Sequence, residues 1–143
     1  MKKADITIYR EIQRNAEMAI KSIETISNKV YDDQLALQIQ RQADKYTEIK
    51  TRAFQRLKQC HAEPYHTNQL QDLMLTGGIH YNTLLNNSTS HIAELMIKGS
   101  NMGILEMNKV LNQNADAQEQ SIALAKELID FENRNIERLT KYL

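Results

Sequence analysis

Apolar residues recur three and four positions apart over four long stretches of the chain, which is the period of one face of an α-helix. The first stretch covers about residues 4–30, and the second covers about residues 33–60. Asp32 and Asp33 between them are favourable helix-capping residues, and Pro64 ends the second stretch. The apolar positions of the first stretch are Ile8, Ile12, Ala16, Ala19, Ile23, Ile26 and Val30. We predict two long helices joined by a short turn.

The second half of the chain predicts two more helices, over residues 90–112 and 116–142. In the last helix an apolar series recurs every seven residues, as in left-handed bundles. That series is Ile122, Ile129, Ile136 and Leu143, and it belongs to a broader apolar face that also includes Leu124, Ala125, Leu128, Phe131 and Leu139. Residues 62–87 keep a helical spacing that Gly77-Gly78 interrupts, so they predict a short helical segment within a long connection. A connection of this length reaches from one end of a bundle to the other.

These elements predict an all-α fold in a single domain over residues 1–143. Short turns join helix one to helix two and helix three to helix four, so each of these pairs is antiparallel. The long crossover lets helix three run parallel to helix two.

Composition narrows the class of protein. Eighteen basic residues balance eighteen acidic ones, so there is no global field to attract nucleic acid or an acidic membrane. The single cysteine excludes an intrachain disulfide and fits a reducing compartment. The basic N-terminus leads into no apolar signal-peptide core, and no apolar run approaches the length of a bilayer span. We expect a cytoplasmic protein without membrane or nucleic-acid partners.

The predicted connectivity, two antiparallel pairs joined by one long crossover, resembles the ferritin-like superfamily. Residues 87–104 look like a segment of small uncharacterised bundles from low-GC Gram-positive bacteria; they read NSTSHIAELMIKGSNMGI. The resemblance covers most of the chain and implies a ferritin-like fold. It implies no activity, because those bundles have no activity that can be carried over.

The di-iron members of that superfamily carry Glu-x-x-His on two of their helices and an inward Glu on each of the others. In this chain Glu-x-x-His occurs once, at residues 63–66, where Pro64 places it in a break between helices. On the fourth helix Glu132 is followed by Asn135 at the same spacing. The missing histidines argue against iron oxidation and oxygen activation, and we expect no cofactor.

Several polar residues nevertheless lie on or near the predicted inner stripes. They are Asn15, Gln42, Tyr46, Glu106, Glu132 and Asn135. One interpretation is a hydrogen-bonded layer in which Tyr46 donates its hydroxyl to Glu132 or Glu106. Another is a metal site of carboxylates and amides, which would prefer Mg²⁺ or Ca²⁺ to zinc or iron. A third is a different helical phase that turns these residues toward water.

A second pair of candidate ligands lies near the start of the third helix. His91 and Glu94 are one turn apart and share a face, so they are weak candidates for a metal. Their face flanks the apolar stripe, which favours a surface or capping role.

Small residues interrupt the third helix at Gly99 and Gly103, with Met102 between them. They predict close helix packing, a dimer contact or a small pocket for an apolar ligand. The preferred hypothesis is a non-catalytic ferritin-like bundle, an interaction or structural protein that forms a homodimer. The alternative is a metal-binding protein or metalloenzyme with an unusual carboxylate site around Tyr46, Glu106 and Glu132.

Overall fold

A computed structural model of the chain describes residues 1–66 and 88–143, and all regular structure in these ranges is helical. The long helices are α1 (Lys3–Ile26), α2 (Asp33–Gln59), α3 (Thr89–Gln113) and α4 (Glu119–Thr140), and a single 3₁₀ turn, Ser27–Lys29, follows α1. The predicted all-α class and four long helices are confirmed for the described residues. The predicted short helix of the connection falls within residues 67–87 and lies outside them.

Side-chain caps mark the starts of two helices, and the cap at Asp32 is one that the sequence predicted. Asp32 Oδ1 accepts a hydrogen bond of 2.8 Å from the main-chain N–H of Leu35 at the start of α2. Ser88 Oγ accepts one of 3.2 Å from the N–H of His91 at the start of α3. Local sequence therefore fixes where both helices begin.

Two main-chain hydrogen bonds cap the C-terminus of α2. The N–H of Ala62 donates to the carbonyl of Leu57 at 2.9 Å, and that of His61 donates to Lys58 at 3.1 Å. This pair is a Schellman motif, and its left-handed position is filled by His61 with φ 54°. Most helices place glycine there, because a Cβ in that conformation is strained.

Replacing His61 by glycine is therefore expected to stabilise the protein by about 0.5–1 kcal/mol, since the native φ is already one that glycine adopts freely. Urea unfolding of His61→Gly and of His61→Ala measures this. His61→Ala keeps the Cβ and should stay close to the native protein. A stability of His61→Gly equal to or below that of His61→Ala would contradict the explanation.

Contacts between helices set their directions. Asp5 near the start of α1 accepts hydrogen bonds from Gln118 and Ser121 at the start of α4, so these two helices are parallel. Arg52 of α2 contacts Glu127 and Tyr46 contacts Glu132, so α2 runs antiparallel to α4. Because α4 is also antiparallel to α3 across a short turn, α2 and α3 run the same way. Helix α1 packs chiefly on α2, and α3 packs chiefly on α4.

The interior is built from the predicted stripes of α1 and α2. Their largest fully buried side chains are Tyr9, Ile8, Ile12, Ile26, Leu35, Ile39, Ile49 and Leu57. Each such aliphatic side chain stabilises the fold by about 1.5–3 kcal/mol. Ala19 and Val30, predicted on the same stripe, are half-buried. In the described ranges, no helix has both the length and the apolarity needed to cross a bilayer.

Most of the predicted apolar face of α4 enters the core. The buried residues are Ser121, Leu124, Ala125, Leu128, Phe131, Glu132, Asn135 and Leu139. The seven-residue series lies at the flank of that face: Ile122, Ile129 and Ile136 are half-buried and Leu143 is 61% exposed.

Candidate functional site

A tyrosine and a carboxyl group meet in the middle of the bundle. Tyr46 of α2 donates its hydroxyl hydrogen bond to Oε1 of Glu132 on α4, and Asn135 Nδ2 donates to the Tyr46 oxygen at 3.2 Å. The three residues are 3%, 5% and 0% exposed, respectively. The predicted bond from Tyr46 to Glu132 is confirmed, and Asn135 extends it.

Helix α3 adds a hydroxyl that the sequence did not single out. Ser100 is buried, and its hydroxyl lies close enough to Glu132 and Tyr46 to lower the pKa of each. It shares a helix face with buried Met96 and Met107, so their spacing would have identified it. On the other side of Tyr46, the Phe131 ring packs edge to face at a centroid distance of 4.9 Å.

Helix α1 contributes Asn15 at the edge of the same site. A Cβ built on Gly103 would lie 3.4 Å from Asn15 Oδ1 and 3.6 Å from Glu132 Oε2, so both oxygens face the bare backbone of α3. The Asn15 amide donates to the main chain of Glu11 at 3.0 Å. Gly103 thus packs against polar oxygens.

We call Asn15, Tyr46, Ser100, Glu132 and Asn135 the polar centre, because every one of the four helices supplies at least one member. The electrostatics of the centre are set by burial. Burial raises the pKa of Glu132 to about 7, although hydrogen bonds from Tyr46 and Ser100 act in the opposite direction. Burial, and then the charge of Glu132, raises the pKa of Tyr46 well above its usual value. Near neutral pH the centre therefore exchanges a proton at Glu132, while Tyr46 stays a neutral donor.

Glu106 is not part of the polar centre. It is half-buried, forms an ion pair with Lys109 at 3.6 Å, and contributes to the raised pKa of Glu11, which is due first to burial. Six residues beyond Ser100, a helix has turned by about 240°, so Glu106 points toward α1 while Ser100 points toward Tyr46. The predicted grouping of Glu106 with Tyr46 and Glu132 does not occur.

His91 and Glu94 lie at the surface of α3. Their side chains approach at 3.5 Å, and Glu94 also pairs with Lys98 at 3.2 Å. The Lys98 ammonium, and to a lesser degree His91, lowers the pKa of Glu94. This is an exposed helical charge pair of the kind that contributes little to stability.

Gly99 and Met102, the other members of the predicted packing or dimer contact, are half-buried on α3. Gly103 is the member that reaches the interior. The sequence predicted a pocket for an apolar ligand beside these glycines. At Gly103 the nearest groups are the oxygens of Asn15 and Glu132, which do not suit an apolar ligand.

The donor set of the polar centre is one carboxyl, two amides and two hydroxyls. Across residues 1–66 and 88–143, no three His, Cys, Asp or Glu side chains gather closely enough to hold a metal ion. What the arrangement does chemically is to hold a proton at Glu132 and to fix hydrogen bonds between α2 and α4.

Comparison of the chain with protein-family models, with curated proteins and with solved structures gives no match. The function is therefore argued from the polar centre and from the surface of the bundle.

Substituting Gly103 by alanine tests how closely α3 approaches Glu132. A methyl group there meets its neighbours at ordinary contact distances, and alanine is favoured over glycine inside a helix by about 1 kcal/mol. We expect Gly103→Ala to stabilise the protein by about 0.5–1 kcal/mol. Gly103→Leu should instead lose about 1–3 kcal/mol through overpacking. Guanidinium unfolding of both variants measures this, and a destabilised alanine variant would contradict the geometry.

Proposed function

We propose that the chain is a non-catalytic ferritin-like bundle, a bacterial cytoplasmic protein that acts as an interaction or structural protein and forms a homodimer. The observation that carries the proposal is the polar centre, in which the carboxyl group of Glu132 accepts a hydrogen bond from Tyr46 of the same chain. This bond occupies one of the two carboxyl oxygens that a metal or substrate would use. The exposed thiol of Cys60 fits a reducing compartment.

The helix directions support the ferritin-like topology. Helices α2 and α3 run parallel, so the end of α2 and the start of α3 lie at opposite ends of the bundle. Two antiparallel pairs related in this way are the arrangement that a long crossover produces.

The polar centre supports a structural role because its hydrogen bonds join α2 to α4 at one level. Tyr46 reaches Glu132 in only one register of α2 against α4, since a slip of one turn moves the two apart by about 5.4 Å. Buried polar groups that must find partners penalise such slips. The centre thereby selects one packing arrangement among those that the apolar stripes alone would allow.

The surface of α3 supports the homodimer. Among the four described helices α3 is the most apolar, yet it has the fewest buried residues. Leu105 on this helix is 54% exposed, and Met102 one turn before it is half-buried. An apolar helix face of this kind is covered when two copies associate.

Light scattering tests the homodimer. We expect a mass twice that of the 16.6 kDa chain, and a monomer for Leu105→Glu, because a charge would be buried at the contact. Asn133→Glu, at an exposed position of α4, is the matched control and should stay dimeric. A monomeric native protein at micromolar concentration would overturn the homodimer.

The alternative function is binding of a hard cation at the polar centre. It is favoured by one observation, the two oxygens of Asn15 and Glu132 that face the same point over Gly103. Calorimetric titration with Mn²⁺ tests it. Stoichiometric binding that Glu132→Gln abolishes would establish the alternative in place of the structural role, and no heat of binding is expected from the preferred function.

A further inference from the structure

Two buried amide atoms beside the polar centre lack hydrogen-bond partners within the part of the chain that the structure describes. They are Nε2 of Gln42 and Oδ1 of Asn135. Gln42 is 2% exposed and Asn135 is 0% exposed, so bulk water does not reach them. Buried polar atoms in native proteins are almost always paired, either within the protein or with an ordered water.

The orientation of the Asn135 amide follows from its neighbours. Tyr46 donates its only hydroxyl hydrogen to Glu132, so the Tyr46 oxygen has to accept from Asn135. Nδ2 of Asn135 therefore points at Tyr46, and Oδ1 is the atom left over. One unpaired acceptor and one unpaired donor remain.

The two residues lie at adjacent levels of α2 and α4. Gln42 lies one turn before Tyr46 on the buried face of α2. Because α4 runs antiparallel to α2, Asn135, which is about one turn after Glu132, lies beside that same turn of α2. One water oxygen that makes two hydrogen bonds of about 2.8 Å joins polar atoms up to about 5.6 Å apart, a reach that suits side chains at adjacent levels of two packed helices.

We propose that one internal water molecule binds between Gln42 and Asn135, accepting a hydrogen bond from Gln42 Nε2 and donating one to Asn135 Oδ1. This site extends the polar centre by one turn of α2 and assigns Gln42 to it. A water in such a site needs two to four polar partners. The second unpaired amide donor on this helix, Nε2 of Gln38, lies one turn further on.

A high-resolution crystal structure of the full chain tests the site directly. The expected result is a single water oxygen about 2.7–3.2 Å from both Gln42 Nε2 and Asn135 Oδ1. Three results would overturn the proposal: a direct bond between the two amides, density larger than one water molecule, or an interior without density between them.

A double-mutant cycle tests the same site in solution. Gln42→Leu should lower the folding equilibrium constant by about tenfold, because the water and the remaining amide lose a partner. Asn135→Leu should lower it further, because it also removes the hydrogen bond from Nδ2 to Tyr46. The double variant should lose much less than the product of the two, since both partners of the water are then gone. Losses that simply multiply would overturn the coupling. Gln40→Leu, at an exposed position paired with Asp44, is the control and should change the constant by less than about twofold.

Discussion

Replacing Glu132 by glutamine is expected to stabilise the protein at pH 8 by about 1–3 kcal/mol, because it removes a charge that the native interior holds at a cost. The pKa of Glu132 is about 7 in the folded chain, against an ordinary value of 4.5. Below the ordinary value the carboxyl is protonated in both states. As pH rises from there to about 7, only the unfolded chain loses its proton, so the free energy of unfolding falls by on the order of 3 kcal/mol. Above that window the loss is complete and constant.

Urea unfolding at a series of pH values measures this effect. The native protein should lose stability between about pH 4.5 and 7 relative to Glu132→Gln, and the two curves should approach each other in acid. Glu137→Gln, an exposed glutamate on α4, is the matched control and should leave the pH dependence unchanged. If Glu132→Gln is less stable than the native protein at pH 8, the favourable interactions of the carboxylate outweigh the free-energy cost of burying its charge, and the account is contradicted.

The second large effect is expected at Asp5, which joins the start of α1 to the start of α4. Asp5 is 1% exposed and accepts hydrogen bonds from the N–H of Lys2 at 2.9 Å, the N–H of Gln118 at 2.8 Å and Ser121 Oγ at 2.5 Å. Asp5→Ala leaves all three donors without this acceptor, so we expect a loss of about 2–4 kcal/mol, measured by guanidinium unfolding. The matched control is Asp33→Ala, an exposed acid in the first turn of α2, which should lose no more than about 1 kcal/mol.

The pH dependence of Asp5 has the opposite sign to that of Glu132. Burial alone would raise the pKa of Asp5, but the hydrogen bonds from Ser121, Gln118 and Lys2 outweigh it and lower the pKa. The stabilisation is therefore present above the ordinary pKa of 3.8 and is lost as pH falls through the lower folded value. An Asp5→Ala variant as stable as the native protein at neutral pH would contradict this account of the α1–α4 contact.

Periodicity predicted the helices well because apolar stripes and caps are local properties of a sequence. The four helices and the cap at Asp32 followed from local patterns. The spacing left two acceptors for the Tyr46 hydroxyl, Glu132 and Glu106, and the structure has Glu132. Periodicity also marked the apolar residues of α4 that are buried, but it could not place the buried Ser121, and the series that ends at Leu143 lies at the flank of the core.

The membership of the polar centre was only partly predictable for the same reason. Glu106 and Ser100 are both polar residues of α3, and the sequence favoured the glutamate because a carboxylate is the commoner ligand. Which of the two enters the centre depends on the rotation of α3, and that is set by packing of Ile92, Met96 and Met107 against the other helices. The buried role of Asp5 depends on contact with α4, more than a hundred residues away, and no local pattern encodes it.

Elemental analysis of the protein purified without chelator tests the central claim most directly, which is that the polar centre is a hydrogen-bonded layer of the chain's own groups. We expect far less than one transition-metal or Mg²⁺ ion for each chain, and the same trace amounts in Glu132→Gln. About one bound ion for each chain, lost in Glu132→Gln and kept in Glu137→Gln, would contradict the claim and establish a carboxylate metal site in its place.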